Sequence, residues 1–317
     1  MEYLLLLAAL TGIIFGADYL VAGAVSIAKK YKVSDFVIGA AIVGIGTSMP
    51  ELVVSFIGAL QGNADVAIGN VVGSNIFNTL AILGLTAVFF PVAINKANLK
   101  FELPVCILLS VLLTIMASGI FGAEAAGISR TDGLILLTIF AFFMIFSFKR
   151  DRKTTSPEAF DTQEEGISMG KATFKVVGGL ALLITSCDVF VDNAVLIAKS
   201  FGVSDAFISL TLIACGTSLP ELAASVAAAL KKNTQMAFGN IVGSNIFNIS
   251  LILGLSSQVM PLASNGIGII DYAVVTAAAV IPLVFGLVKG KISRAGGLFL
   301  FLCFIAYNFW LISNQAV

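Results

Sequence analysis

The chain has 317 residues, 58% of them hydrophobic and 11% charged, with no histidine and a formal net charge of zero; its mean hydropathy is +1.03. A soluble domain carries about 25% charged residues, so this composition excludes one and marks an integral membrane protein with the lipid bilayer as its solvent. The neutral charge balance gives no electrostatic footprint for a nucleic-acid partner, and the lack of histidine removes the usual proton shuttle and transition-metal ligand.

Apolar runs of about 20 residues, the length that crosses a hydrocarbon core of ~30 Å, predict ten spans. They fall at about 3–28, 36–60, 65–90, 101–119, 132–149, 172–198, 206–230, 235–259, 270–289 and 295–313. The alternating ten-residue strands of an outer-membrane barrel are absent from the sequence. The first span opens Met1-Glu2-Tyr3 with no basic segment and contains Ala17-Asp18; it is expected to persist as a span rather than be cleaved as a signal peptide. The one long hydrophilic stretch, 149–171, contains Asp151-Arg152-Lys153-Thr154-Thr155-Ser156-Pro157 and reads as a flexible linker. The expected architecture is therefore an all-α membrane protein of ten transmembrane helices. It divides into a first five-helix repeat (1–150), a linker (151–170) and a second five-helix repeat (171–317). The four cysteines, Cys106, Cys187, Cys215 and Cys303, lie scattered in apolar segments without metal-ligand spacing and read as small packing residues.

Basic residues set the expected orientation. The connections after spans one, three, five, seven and nine, counting Lys175 at the start of span six, hold 16 of the 18 lysines and arginines; only Arg130 and Lys199 fall elsewhere. Those connections, the linker among them, are expected to face the cytoplasm, with both termini outside. Five spans per half is an odd number, so the second half must enter the membrane inverted. The two halves carry the charge edits that inversion demands: Lys30 and Lys32 become Ser200 and Gly202, whereas Gln61 and Gly62 become Lys231 and Lys232. Inverted repeats with a site near the midplane are typical of secondary transporters.

The repeat itself is explicit. Gly46-Thr47-Ser48-Met49-Pro50-Glu51 recurs as Gly216-Thr217-Ser218-Leu219-Pro220-Glu221, and Gly73-Ser74-Asn75-Ile76-Phe77-Asn78 recurs as Gly243-Ser244-Asn245-Ile246-Phe247-Asn248. From Gly46 to Gly84 against Gly216 to Gly254, 23 of 39 positions are identical without a gap. Each glutamate follows a proline that cannot donate to the carbonyl four residues back, which loosens the backbone at Gly46 and Gly216. Thr47, Glu51 and Ser55 share one helical face, as do Thr217, Glu221 and Ser225; on the next span Ser74 shares a face with Asn78, and Ser244 with Asn248. Every candidate donor is an oxygen, the shell that Ca²⁺ and Na⁺ prefer. A serine or asparagine taken singly could equally bond between helices, and Gly69-x-x-x-Gly73 and Gly239-x-x-x-Gly243 read as close-packing sites rather than ligands. Two intramembrane glutamates at symmetry-related positions, with no basic residue in spans two, three, seven or eight, point instead to a bound cation.

These paired motifs resemble the α-repeats of the sodium/calcium exchanger family within the calcium:cation antiporters, and the resemblance extends over essentially the whole chain. It implies a secondary antiporter that exchanges Na⁺ for Ca²⁺ by alternating access, with spans one and six moving against the rest. Carried over residue by residue, the implied ligands are Thr47, Ser48, Glu51, Ser74 and Asn78 from the first repeat and Thr217, Ser218, Glu221, Ser244 and Asn248 from the second. Glu51 and Glu221 would be the bidentate Ca²⁺ ligands, shared with Na⁺. Several family members carry aspartate where this chain has Asn248; with amides at both Asn78 and Asn248 the site holds two formal negative charges, which weakens potassium dependence and a proton-carrying role there. Exchange of three Na⁺ for one Ca²⁺, the family ratio, would be electrogenic.

Transported Ca²⁺ and Na⁺ are thus the expected substrates, with no separate cofactor, and a single chain is expected to suffice for transport. A Ca²⁺/H⁺ exchanger of the same superfamily is the neighbouring reading, and a passive cation channel a more distant one. An intramembrane enzyme lacks its parts: no serine or cysteine has an evident base. Asp18 and Asp188, equivalent through the repeat, and the unpaired Asp192 could line a hydrated ion path or simply lie near the interface. Asp35 and Asp205, each after Val-Ser, read as helix N-terminal residues that complement the helix dipole.

Overall fold

The structure, a computed structural model, describes residues 2–118, 127–154, 168–201, 216–264 and 266–315. Eleven helices are seen among them: α1 (Glu2–Tyr31), α2 (Asp35–Thr47), α3 (Met49–Leu60), α4 (Ala64–Phe89), α5 (Asn98–Ala117), α6 (Arg130–Thr154), α7 (Met169–Ser200), α8 (Leu219–Leu230), α9 (Thr234–Val259), α10 (Ile269–Lys289) and α11 (Arg294–Gln315). Eight are long and apolar enough to cross a membrane, and α2 with α3 forms a ninth crossing bent by 48°. The first part of the predicted seventh span, 206–215, lies outside the described residues, so α8 stands as a 12-residue apolar helix.

Local chemistry explains the helix starts. Ser34 caps α2 by accepting from the Val37 amide at 3.3 Å, which places Asp35 in the first turn as expected; Asp205 lies outside the described residues. Asn63 and Asn233, one repeat apart, cap α4 and α9 through the amides of Val66 and Met236. The break between α2 and α3 falls at Ser48 (φ −82°, ψ 10°), with Pro50 in the first turn of α3. Proline is at home there, where an amide would have no partner.

Three helices widen into π turns: Gly39–Gly44 in α2, Phe77–Ile82 in α4 and Asn248–Ile252 in α9. A fourth, Asn98–Glu102, opens α5. Single π turns inside helices commonly mark functional sites; here two of them begin at or beside Asn78 and Asn248.

Burial sorts the helices into a centre and a shell. Within its most apolar stretch α9 is 94% buried and α4 78%, against 17–33% for α1, α5, α6, α7, α10 and α11. The shell helices turn large side chains such as Leu4, Phe142, Val288 and Phe309 outward, as lipid contact requires. The halves interleave: the end of α4 packs on α11, the end of α9 on α6, and α10 on α5. The two longest helices, α1 and α7, lie along one another antiparallel, with Gly12 against Ser186, Gly16 against Leu183 and Gly23 against Val176.

The all-α expectation needs one correction. Four two-residue strands, β1 (Val92–Ala93), β2 (Gly127–Ile128), β3 (Leu262–Ala263) and β4 (Lys291–Ile292), form two antiparallel clips. Val92 pairs with Ile292 and Ala93 with Lys291; Gly127 pairs with Ala263 and Ile128 with Leu262. Segments this short carry no period-2 signal to read. Each clip joins one half of the chain to the other.

The Gly-x-x-x-Gly expectation holds for the second copy. A methyl group on Gly243 would lie 2.5 Å from the Ala40 Cα, and one on Gly239 would strike the Phe36 backbone, so α9 and α2 meet backbone to backbone. For Gly69 and Gly73 the corresponding partner positions, 206 and 210, lie outside the described residues. Cys106 and Cys187 are buried and Cys303 half-buried, all as free thiols; Cys215 lies outside the described residues.

Candidate cation site

The broken helices place both glutamates in the first turn of a helix, Glu51 in α3 and Glu221 in α8. The partial positive charge of a helix N-terminus favours a carboxylate there. Both residues have zero exposure, as do Thr47, Ser48, Asn78, Ser218, Ser244 and Asn248, and Ser74 is 2% exposed. Thr217 is half-buried. Nine of the ten residues singled out by the sequence are therefore sealed in the centre of the bundle. No lysine or arginine is buried among the described residues.

The two repeats hold each other's carboxylates. Ser48 Oγ donates to Glu221 Oε1 at 2.7 Å, and Ser218 Oγ donates to Glu51 Oε1 at 3.0 Å. One oxygen of each glutamate is thus fixed by the hydroxyl that opens the opposite half's helix. The other oxygens, Glu51 Oε2 and Glu221 Oε2, are buried with no hydrogen-bond partner.

Behind each glutamate stands an asparagine that the spacing argument passed over. Asn70 Nδ2 donates to the Glu51 carbonyl at 3.2 Å and to Ser55 Oγ at 2.9 Å; Asn240 Nδ2 donates to the Glu221 carbonyl at 3.2 Å and to Ser225 Oγ at 2.8 Å. Ser55 and Ser225 serve this brace, and each shares its glutamate's helix face as expected. Thr47 Oγ1 bonds back to the Val43 carbonyl at 3.0 Å and reaches Asn240 Oδ1 at 3.3 Å. Thr47 is thereby tied to both repeats.

A second set of asparagines orients the amides. Asn78 Nδ2 donates to Asn245 Oδ1 at 3.2 Å, and Asn248 Nδ2 donates to Asn75 Oδ1 at 3.1 Å. Asn245 Nδ2 in turn donates to Thr79 Oγ1 at 2.7 Å, and Asn75 Nδ2 to the Asn245 carbonyl at 3.2 Å. With their amide nitrogens engaged, Asn78 and Asn248 leave Oδ1 buried and without a partner. Ser74 Oγ is unpartnered too, and Thr217 Oγ1 has no partner among the described residues. Ser244 Oγ instead donates weakly to the Gly44 carbonyl at 3.3 Å, within the π turn of α2. Asn70, Asn75, Asn240, Asn245 and Thr79 are thus the residues that sequence reasoning missed. Identity across the repeat was the signal for the four asparagines.

Buried acceptors without donors cost about 1–3 kcal/mol each, and more when charged. Two carboxylates in one dry site, with no basic neighbour, cost more still. Four of the unpartnered atoms, Glu51 and Glu221 Oε2 with Asn78 and Asn248 Oδ1, come from symmetric positions in this cluster and are acceptors. That set fits a hard cation and fits nothing that itself needs an acceptor. No group of three or more histidine, cysteine or acidic side chains occurs among the described residues, so most of the shell is neutral oxygen.

The other intramembrane acids lie apart from this cluster. Asp18 on α1 pairs with Lys231 at 2.6 Å, just past the end of α8, and its carbonyl accepts a further bond from the same ammonium. Asp188 and Asp192 are exposed on α7.

A dry oxygen cluster centred on two unpaired carboxylates, inside a bundle of membrane-crossing helices, defines a membrane cation carrier. The family model described as "Sodium/calcium exchanger protein" matches residues 1–149 and 171–313. The chain is similar to the sodium/calcium exchanger MaX1 of Methanosarcina acetivorans (32% identity, covering 96% of this chain and 97% of the relative). It is also similar to the inner membrane protein YrbG of Escherichia coli (33% identity, 97% and 96% covered). Among solved structures, that of the sodium-calcium exchanger NCX_Mj soaked with zero Na⁺ and Ca²⁺ superimposes with a TM-score of 0.83 at 30% identity, covering 96% of this chain and 97% of that one. The chain belongs to the sodium/calcium exchanger family, and its class of activity is antiport.

Proposed function

We propose that this chain exchanges Na⁺ for Ca²⁺ across the cell membrane, electrogenically, at the cluster around Glu51 and Glu221. The observation that carries the reading is the pair of buried carboxylates, each with one oxygen held by the opposite repeat and one left without a donor. Two negative charges balance one Ca²⁺; three Na⁺ would leave one net positive charge, so each cycle would move charge. The ligands in this reading are Thr47, Ser48, Glu51, Ser74 and Asn78 with Thr217, Ser218, Glu221, Ser244 and Asn248. The protein acts as a carrier and not as an enzyme, and one chain suffices, because the site draws on both halves of it.

The accompanying topology is ten spans in two inverted five-helix repeats, with both termini outside and the 151–170 linker in the cytoplasm. The clips support it. β1 and β4 follow spans three and nine, and β2 and β3 follow spans four and eight, so the connections that pair are those an inverted arrangement puts on the same face. The helices that move are α1 and α7, which form a shell pair of their own; their motion would open the sealed site to each face in turn.

The test is ⁴⁵Ca²⁺ flux driven by a Na⁺ gradient in proteoliposomes. Glu51→Gln and Glu221→Gln are each expected to abolish it, because either halves the charge that balances a divalent ion. Strong exchange in both variants would refute the site. Ca²⁺ uptake driven by a pH gradient alone, with none driven by Na⁺, would replace this reading with Ca²⁺/H⁺ exchange.

A further inference from the structure

Away from the cation cluster, α7 bears an open groove of about 650 Å³, walled on one side by Tyr19 of α1. Its α7 lining runs Lys171, Phe174, Lys175, Gly178 and Leu182, a spacing of three and four residues that keeps them on one helical face. The floor is low because Gly178 has no side chain: a methyl group there would meet only the tip of Phe174, at 4.0 Å. Phe174 itself is 77% exposed.

The charge at one end of this groove has no partner among the described residues. Lys171 is exposed and Lys175 half-buried, and neither forms a hydrogen bond or ion pair among the described residues. The nearby acid on α1, Asp18, is already taken by Lys231. Two ammonium groups one turn apart, above an apolar trough at the linker end of a membrane helix, match a phosphate headgroup with an acyl chain below it. Basic pockets between membrane helices on the cytoplasmic side bind anionic lipid headgroups in this way. The volume suits a headgroup and the upper part of one chain rather than a whole lipid.

We propose that this groove is a binding site for one anionic phospholipid, its phosphate held by Lys171 and Lys175 and its chain laid over Gly178 between Phe174, Leu182 and Tyr19. The inference rests on the orientation proposed above only for which leaflet supplies the lipid. Because the groove straddles α1 and α7, the bound lipid would bridge the two helices assigned to the exchange motion and set how readily they part.

Native mass spectrometry of the full chain, titrated with phosphatidylglycerol or phosphatidylcholine, tests the site without requiring transport. One phosphatidylglycerol should be retained in preference to phosphatidylcholine. Lys171→Gln with Lys175→Gln should weaken it about 30-fold, from about fivefold per lysine near a membrane surface. Gly178→Leu, which fills open space, should weaken it with both lysines present. Lys289→Gln with Lys291→Gln, the same loss of charge elsewhere on the same face, should leave it unchanged. Equal loss in both lysine pairs would reduce the effect to general surface potential and overturn the site, as would native retention in the first pair. Retention with the expected variant pattern in a protein that fails Na⁺-driven Ca²⁺ flux would overturn the exchange reading and leave the lipid site standing.

Discussion

Asn240→Ala removes the brace behind Glu221, together with the 3.3 Å bond that Asn240 Oδ1 accepts from Thr47. Asn240 is 1% exposed, and its amide nitrogen serves the Glu221 carbonyl at 3.2 Å and Ser225 Oγ at 2.8 Å. Truncation removes both donors where bulk water does not reach. Each net bond is worth about 0.5–1.5 kcal/mol, so about 2 kcal/mol of support for the first turn of α8 is lost. If that loss falls on the positioning of Glu221, half-saturation of exchange by Ca²⁺ rises about 30-fold. The assay is initial Na⁺-driven ⁴⁵Ca²⁺ uptake against Ca²⁺ concentration in proteoliposomes, with equilibrium ⁴⁵Ca²⁺ binding on the same preparation and gel filtration to establish folding. Asn70→Ala, which removes the matching bonds to the Glu51 carbonyl and Ser55, should behave alike. A folded Asn240→Ala protein whose Ca²⁺ dependence is unchanged, or one that loses maximal rate with no shift in half-saturation, would refute the brace.

Three further outcomes are expected. Asn248→Asp replaces the donor that Asn75 Oδ1 accepts with a carboxylate that restores the bond only when protonated; exchange should become sensitive to external pH, and a profile matching the native one would count against the amide's assigned role. Gly243→Ala forces a methyl group to 2.5 Å from the Ala40 Cα; overpacking of this kind costs about 1–3 kcal/mol or more, and an unaltered melting temperature in detergent would contradict the close α2–α9 contact. Lys231→Gln breaks the 2.6 Å pair to Asp18, but these side chains are 33% and 51% exposed, so the stability change should stay below about 1 kcal/mol; Asp18→Asn added to it should produce little further change in melting.

Much of the fold was legible because a bilayer imposes it. The positions of the described spans followed from apolar length; Pro50 pointed to a loosened backbone at Gly46, and the break falls two residues later, at Ser48. The ten candidate ligands came from the resemblance of the repeated motifs to the exchanger α-repeats. What escaped has identifiable physical causes. A π turn such as Phe77–Ile82 shifts one hydrogen bond, and tertiary contact decides it rather than propensity. The bonds from Ser48 to Glu221 and from Ser218 to Glu51 join residues 173 and 167 positions apart, which no local spacing rule can reach. The helix-face argument linked Ser74 to Asn78 and Ser244 to Asn248, and so passed over Asn75 and Asn245 on the neighbouring face, where they hold the ligand amides in place.

The two strand clips also constrain how the protein is made. β1 leaves the ribosome long before β4, and β2 before β3, so the first half enters the membrane with both of its short edges unmatched. Only when Leu262–Ala263 and then Lys291–Ile292 arrive do those edges find partners. Assembly of the cage is therefore a late event in synthesis. A chain cut short before residue 291 would hold all ten candidate ligands and the β2–β3 clip, and still lack the second clip between the halves, β1–β4.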